Sequence, residues 1–405
     1  MSAPTLERPT RTEPEPTPVA GVLDLRSTNP KPNPNANPNK HGNGRRPAPA
    51  GGTLRTSARE SYLPSRQDLR VPPELIRRHR LRPGDTLNGT TTDGRTLATV
   101  ELINHLPPAA SAARPAFADL TPLHPHRRLR LETAPDRLTT RAIDLLTPLG
   151  KGQRGLIVAP PKTGKTVILQ QLAQAISTNH PECRLLVVLL DERPEEVTDF
   201  RRRVDPSAEV LASTFDHPAE QHTALAELAV ERAKRLAETG TDVVILLDSL
   251  TRLCRAYNTQ APAGGKTLSG GVDAHAVLGP KRFFGAARET EEAGSITILA
   301  SALVDTGSRG DDYWFEELKS TGNMELRLDR LLADRRVHPA LDIAASGTRR
   351  EELLTTPDEL AAIHRLRRAL AGQNPQQAGE LLVEHLRRTG SNAELLLQVT
   401  RTTPA

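Results

Sequence analysis

The strongest constraint on the fold is a short apolar, β-branched run, Gly155–Val158. It leads directly into Ala159-Pro160-Pro161-Lys162-Thr163-Gly164-Lys165-Thr166 and then into a helical run, Val167–Ile176. Strand, loop and helix in that order make a cradle for phosphate, because successive backbone N–H groups and the helix N-terminus converge on an anion. In such a cradle Lys165 neutralises β/γ-phosphate charge and the Thr166 hydroxyl ligates Mg²⁺. Gly164 lets the backbone turn close to the ligand without a Cβ. Ala159 stands where the general pattern has its first glycine, so the flanking strand and helix carry the reading. A bare Gly-Lys-Thr would be an ordinary turn with an exposed lysine.

Further apolar runs follow at Leu185–Leu190, Val243–Leu247 and Ile296–Leu299. They are separated by helical segments such as Ala219–Ala237, where Leu225, Leu228 and Leu236 share a face. Continuous apolar strands alternating with helices predict a parallel sheet covered on both faces. Carboxylates stand at the ends of two of these runs, in Asp191-Glu192-Arg193 and at Asp248. Open α/β sheets bind ligands at that edge. Asp248 is placed to hold Mg²⁺ through its water shell, and Glu192 to orient and deprotonate an attacking water. Either alone reads equally well as a helix cap or a strand-end charge; both in register with a phosphate loop point to hydrolysis of ATP.

The rest of the 405-residue chain divides by composition. Residues 1–50 hold eleven of its 34 prolines and an Asn/Pro alternation, which predicts a disordered tail. Residues 51–121 carry short β-rich segments and turn signals, Pro83-Gly84-Asp85 and Asp93-Gly94, fitting a small five-stranded barrel of a kind that binds nucleic acid. Residues 122–140 read as a linker and 141–405 as the motor domain with a helical C-terminus. A formal charge of +5 suits an anionic partner. Cys183 and Cys254 give neither a disulfide framework nor metal-ligand spacing, and no run approaches the roughly 18 apolar residues of a membrane span. A cytoplasmic protein without membrane contact is the expectation.

Several strings resemble those of the bacterial transcription termination factor Rho family. They are Gly152–Lys162 (GQRGLIVAPPK), Asp191–Asp199 (DERPEEVTD), Lys281–Arg288 (KRFFGAAR), Asp305–Ser308 (DTGS), Thr321–Leu326 (TGNMEL) and Ser346–Leu354 (SGTRREELL). The resemblance implies an α/β, RecA-like P-loop motor preceded by an OB- or cold-shock-like RNA-binding barrel. It also implies a homohexameric ring that uses ATP and Mg²⁺ to pull single-stranded RNA 5′ to 3′ and dislodge RNA polymerase. Nucleotide contacts are implied for Lys151, Gly152, Gln153, Arg154, Gly155, Lys162, Thr163, Gly164, Lys165, Thr166 and Val167. Arg193 is similar to a γ-phosphate sensor, Arg349 to an arginine finger acting on a neighbouring subunit, Arg336 to its helper, and His338 to a ring stacked on adenine. Two loops resemble pore contacts to RNA: Lys266, Thr267, Leu268, Ser269, Gly270, Gly271, Val272 and Asp273, and then Thr306, Gly307, Ser308 and Arg309.

One departure bears on RNA capture. That family's barrel stacks bases on aromatics, yet between residues 1 and 199 this chain has only Tyr62 and Phe117. Its corresponding segment reads Gly51-Gly52-Thr53-Leu54-Arg55, and Arg70 and Thr96 occupy the later aromatic positions. Each lost stacking partner removes about 1–3 kcal/mol per base. Capture is then expected to rest on charge, through Arg55, Arg66, Arg70, Arg77, Arg78 and Arg82. The alternative is a diverged paralogue with weak RNA capture that regulates transcription. A binding-only protein is disfavoured by the retained Lys165, Thr166, Glu192, Asp248 and Arg349. DNA-directed RecA-like motors and rotary ATPase subunits share the loop but not these strings.

Overall fold

The structure, a computed structural model, describes residues 15–26, 51–262 and 267–402, and it divides into two units, Met1–Ala113 and Arg114–Ala405. The first unit is a five-stranded antiparallel sheet of β1 (Thr17–Asp24), β2 (Gly52–Arg55), β3 (Leu69–Val71), β4 (Thr86–Thr91) and β5 (Leu97–Ile103), in the order β3-β2-β1-β4-β5. A bridge between Arg70 and Thr96 draws β3 towards β5. Alternate residues point inward, and Leu23, Leu54, Leu69, Val71, Leu87, Leu97 and Ile103 make the core.

The central strand of this sheet comes from the segment expected to be a disordered tail. Val22 and Leu23 are fully buried, and Gly21 lies so close to β2 that a Cβ there would come within 2.5 Å of the Arg55 carbonyl oxygen. Two apolar residues and one glycine suffice because β1 pairs on both sides, with β2 and β4. A proline-rich composition around it hides so short a signal. Of that expected tail, residues 1–14 and 27–50 lie outside the described residues.

The second unit is built on a seven-stranded sheet. In chain order its strands are β6 (Arg154–Ala159), β7 (Arg184–Glu192), β8 (Glu209–Thr214), β9 (Val243–Asp248), β10 (Ile296–Leu303), β11 (Met324–Arg327) and β12 (Gly347–Thr348), arranged β8-β7-β9-β10-β6-β11-β12. All neighbours are parallel except β12, which runs antiparallel to β11. Helices α1 (Leu138–Leu146), α2 (Lys165–Asn179), α3 (Pro194–Arg203), α4 (Ala219–Glu238), α5 (Leu250–Thr259) and α6 (Arg309–Lys319) surround it. Three more, α7 (Pro357–Ala371), α8 (Pro375–Arg387) and α9 (Asn392–Thr402), close the C-terminus. This is the α/β class that the alternating apolar runs predict.

Residues 122–140, expected as a linker, are instead strapped to this unit. Pro122–Leu123 pairs with Glu289–Thr290, and Arg128–Leu129 pairs with Leu149–Gly150. Arg127 donates to Asp242 (2.9 and 2.8 Å) and Glu289 (2.8 Å), and the Asp144 carboxylate accepts from the backbone N–H groups of Leu131 (2.8 Å) and Glu132 (2.7 Å). Prolines and charges suggest a solvated link; buried partners on the motor turn it into structure.

Candidate nucleotide site

Parallel strands deliver their C-terminal ends to one edge of the sheet, and the chemistry gathers there. From β6 the chain enters the loop 160–164 and then α2. Gly164 has φ +88°, and a Cβ at that position would meet only open space. Its glycine is therefore required by backbone conformation, and the space beside it is free for a phosphate. The Thr163 hydroxyl is spent inside the loop, donating to the Pro160 carbonyl at 2.8 Å. Lys162 and Val167 are exposed beside the loop, and Thr166 is half-buried in the first turn of α2.

The Lys165 ammonium reaches the ends of two other strands. It hydrogen-bonds the Asp248 carboxylate at the end of β9 and lies 3.7 Å from Glu192 Oε1 at the end of β7. Ser301 of β10 also donates to Asp248, at 2.9 Å. A β-bulge at Asp191, which has φ +55°, aims Glu192 inward and Asp191 outward. Burial, then the charge of Asp248, pushes the Glu192 carboxyl up to about 7 despite Lys165 and Arg252. That is the range of a working general base at neutral pH.

The donor set fits Mg²⁺. One hydroxyl and one carboxylate offer hard oxygen ligands, and Mg²⁺ is usually held by one or two protein groups plus substrate phosphates. Among the described residues no cluster of three or more His, Cys, Asp or Glu side chains suits a metal. Such a cation would supply charge neutralisation on the β- and γ-phosphates.

Sequence reading missed the helix that leaves this site. From α5, Arg252 donates to Asp191 Oδ2 at 2.8 Å and lies 3.6 Å from Glu192; Arg255 pairs with Asp311 at 2.6 Å; Asn258 donates to the Gly271 carbonyl (3.2 Å) and accepts from Asp273 N–H (2.8 Å). Their three-residue spacing on one helix face was the available signal. Asp311 in turn accepts from the Thr306 hydroxyl (2.7 Å), and Ser308 caps α6. Thus α5 connects the carboxylates to both loops that resemble pore contacts. Thr267–Leu268 and Val272–Asp273 form a hairpin whose Gly270 packs on Gly310, where a Cβ would come within 2.5 Å of the Gly310 amide. Arg309 is exposed, and Lys266 lies outside the described residues.

Other expected contacts are elsewhere. Lys151, Gly152 and Gln153 lead into β6 and Arg154 and Gly155 begin it, whereas the phosphate loop follows its end, about 16 Å away for five residues of strand. Lys151 is paired with Asp242 (2.7 Å) and Glu182 (3.0 Å), and Gln153 and Arg154 N–H bind the Asn323 side chain (2.7 and 2.8 Å). Gly152 N–H donates to Thr297 at 2.8 Å, and Gly155 packs under Leu299. These five residues hold the lower end of the sheet together and do not meet a nucleotide bound by their own chain's loop. Arg349 is at that lower end too, its N–H bonded to the Asn323 carbonyl at 2.9 Å. Arg336 and His338 are exposed on the segment after β11, whose Leu328 N–H binds the Val158 carbonyl at 2.8 Å, so they emerge on the nucleotide side. Arg193 is exposed and 3.8 Å from Glu196.

In the first unit Arg55 is not available to a ligand. Its guanidinium is tied to Asp24 at 3.0 Å and Asp68 at 2.7 Å. Burial alone pushes the Asp24 carboxyl up, but Arg26 and Arg55 hold it below the usual carboxylate range. Arg66, Arg70, Arg77 and Arg78 are exposed, and Arg82 is half-buried. Arg70 and Thr96, the positions without their aromatics, sit side by side.

Comparison with known proteins agrees with this geometry. Residues 139–348 match the model of the ATP synthase alpha/beta family, nucleotide-binding domain. A transcription termination factor Rho of Streptomyces coelicolor is 63% identical over 88% of this chain and 85% of its own length. One from Streptosporangium roseum is 60% identical over 87% of this chain and 90% of its own length. One from Mycobacterium tuberculosis is 54% identical over 87% of this chain and 60% of its own. A solved ATPase from the type III secretion system of pathogenic bacteria shares the fold at a TM-score of 0.58 and 22% identity, over 69% of this chain and 87% of that one. Nothing in these similarities supports a separate regulatory paralogue.

Proposed function

The chain belongs to the transcription termination factor Rho family, and from that premise we propose that it is an RNA-dependent ATPase that moves single-stranded RNA through a homohexameric ring. The observation that carries this reading is the meeting of Lys165, Glu192 and Asp248 at one strand edge, joined by α5 to the loops at 267–273 and 306–310. Lys165 pairs with both carboxylates. Lys165 would hold the β/γ-phosphate charge of a bound triphosphate, Thr166 and Asp248 would hold its Mg²⁺, and Glu192, released from Lys165, would accept a proton from the attacking water. Arg252 senses the change through Asp191 and Glu192 and passes it along α5 to Gly271 and Asp311, so the RNA-facing loops shift with the state of the phosphate. No described helix is long and apolar enough to cross a membrane.

Arg349 lies too far from its own loop to act on it, so its guanidinium serves a neighbour's nucleotide, where a planar fork stabilises charge on the transferring phosphoryl group. The direct test is ATP turnover with and without single-stranded RNA, followed by titration of Arg349→Ala into wild-type chains. Mixed rings are expected to lose activity more steeply than the fraction of variant. A strictly proportional loss, or turnover indifferent to RNA, overturns the assignment.

For RNA capture by the first unit, charge replaces stacking. Raising salt is expected to weaken binding with a log–log slope near 0.7 per phosphate contact, and Arg70→Ala to lower that slope by about 0.7. Filter binding of cytidine-rich and adenine-rich RNA at several salt concentrations checks it; tight, salt-insensitive, cytidine-selective binding refutes it. Any fragment used must include β1, since one starting at residue 51 lacks the sheet's central strand.

A further inference from the structure

The bulge that divides Asp191 from Glu192 has a second neighbour, His222, one turn into α4. Ser213 and Thr214 of β8 pair with Leu190 and Glu192 of β7, so the bulged Asp191 falls between those two register partners. The buried Ser213 hydroxyl shares a 2.7 Å hydrogen bond with His222 Nδ1, which seats the imidazole beside the bulge. Gln260, just past α5, fastens the same turn of α4 by donating to the Ala219 carbonyl (3.0 Å) and the Thr223 hydroxyl (2.8 Å). His222 is 6% exposed, and its Nε2 has no hydrogen-bond partner among the described residues. Burial holds the imidazole below its ordinary value; the charge of Asp191 works against that, and His217 and Arg252 add to it. A ring kept neutral carries one proton. With Ser213 donating to Nδ1, that proton is on Nε2, where it makes a donor for a carboxylate.

We propose that His222 is a positioning residue for ATP hydrolysis, its Nε2–H being the partner that the Asp191 carboxylate takes when Arg252 turns from Asp191 to Glu192. This rests on the reading of Glu192 as the general base. Arg252 is placed for such a turn. Its Nη1 donates to Asp191 Oδ2 at 2.8 Å, while its buried Nε–H has no acceptor and lies 3.6 Å from Glu192 Oε1. Moving to Glu192 gives Nε–H an acceptor but strips Asp191 of its cation, and a partly buried carboxylate left without a donor is costly. His222 offsets that loss with little ordering of its own, because Ser213 and α4 already hold the ring. Without the imidazole, Arg252 stays on Asp191 and Glu192 is not steadied as the base.

The test compares two substitutions in the full-length protein, each of which keeps the function of one ring nitrogen. In His222→Asn the side-chain amide reaches the place of Nδ1 and keeps the bond to Ser213. In His222→Gln it reaches the place of Nε2 and keeps a donor for Asp191. ATP turnover with saturating single-stranded RNA and urea unfolding are measured for both. His222→Asn is expected to unfold near the wild-type midpoint yet to lose about tenfold in kcat with KM within about twofold, the pattern of an interaction made only on the way to the transition state. His222→Gln is expected to keep kcat within about threefold of wild type despite a lower midpoint. A role confined to packing gives the reverse order, with turnover following the midpoint. Wild-type kcat in His222→Asn, or a kcat in His222→Gln no higher than in His222→Asn, overturns the proposal. If the asparagine variant does not fold, a loss of about tenfold in His222→Gln overturns it alone. Failure of the underlying reading shows elsewhere, as wild-type turnover indifferent to RNA or activity surviving Glu192→Gln, whereas the comparison of asparagine with glutamine decides His222 in either case.

Discussion

Replacing Glu192 by glutamine is expected to lower ATP turnover by about 10²–10⁴-fold, the usual contribution of a general base, with nucleotide affinity nearly unchanged. The isosteric amide keeps the bulge and the packing but cannot take a proton. Activity surviving at more than about a tenth of wild type removes Glu192 from the base role. The same substitution has an opposite effect on stability in protein free of nucleotide and Mg²⁺. The Glu192 carboxyl titrates at about 7 in the folded chain against 4.5 as the ordinary value, because burial and then Asp248 oppose its charge. Its folded value is the higher one, so its contribution to stability is fully present below about pH 4.5 and is lost as pH rises through about 7. Glutamine does not titrate and loses nothing over that interval. At about pH 8 the variant is expected to exceed wild type by up to about 3 kcal/mol, with the excess fading towards pH 4.5. Urea unfolding at three pH values decides it; an excess that does not vary with pH excludes the buried carboxylate as its cause.

Arg141→Ala is expected to destabilise the second unit by about 3–5 kcal/mol, because it strips partners from several buried groups at once. Arg141 is the largest of the fully buried side chains, at 0% exposure. Its guanidinium donates to the carbonyls of Leu386 (2.8 Å) and Thr389 (2.8 Å) at the end of α8, to the Thr389 hydroxyl (2.8 Å) and to Asn392 (3.3 Å), where α9 begins. It thus closes the α8–α9 corner from α1 and satisfies carbonyls that a helix end leaves free. Arg141→Lys is expected to recover only part of the loss, since one ammonium cannot span the fork's acceptors. A denaturation midpoint of the alanine variant within error of wild type shows the corner to be held by apolar packing alone.

The phosphate loop and its carboxylates were legible in the sequence because their signal is local. A strand, a loop and a helix in fixed order force Lys165 and Thr166 to one place, and an apolar run that ends in Glu192 or Asp248 puts that carboxylate at a strand's end. Resemblance added Arg349 and the two glycine loops, and the fold sets both loops against α5. Arg252, Arg255 and Asn258 were harder to find: their spacing shows a polar helix face, but only packing shows what that face touches.

From the sequence by itself came the parallel α/β sheet, the class of site and the family, since each follows from periodicity or from contiguous motifs. Three matters rested with the tertiary structure. Residues Thr17–Asp24 become the centre of a sheet because partners on both sides supply the burial that their own composition lacks. Arg55 is withdrawn from solvent by Asp24 and Asp68, partners 31 and 13 residues away. Lys151 and Lys165 are close in the chain yet serve opposite ends of the sheet, because an extended strand carries the backbone about 3.3 Å per residue in one direction. Local pattern fixes what a segment becomes; which groups finally meet depends on contacts between segments that no single stretch contains.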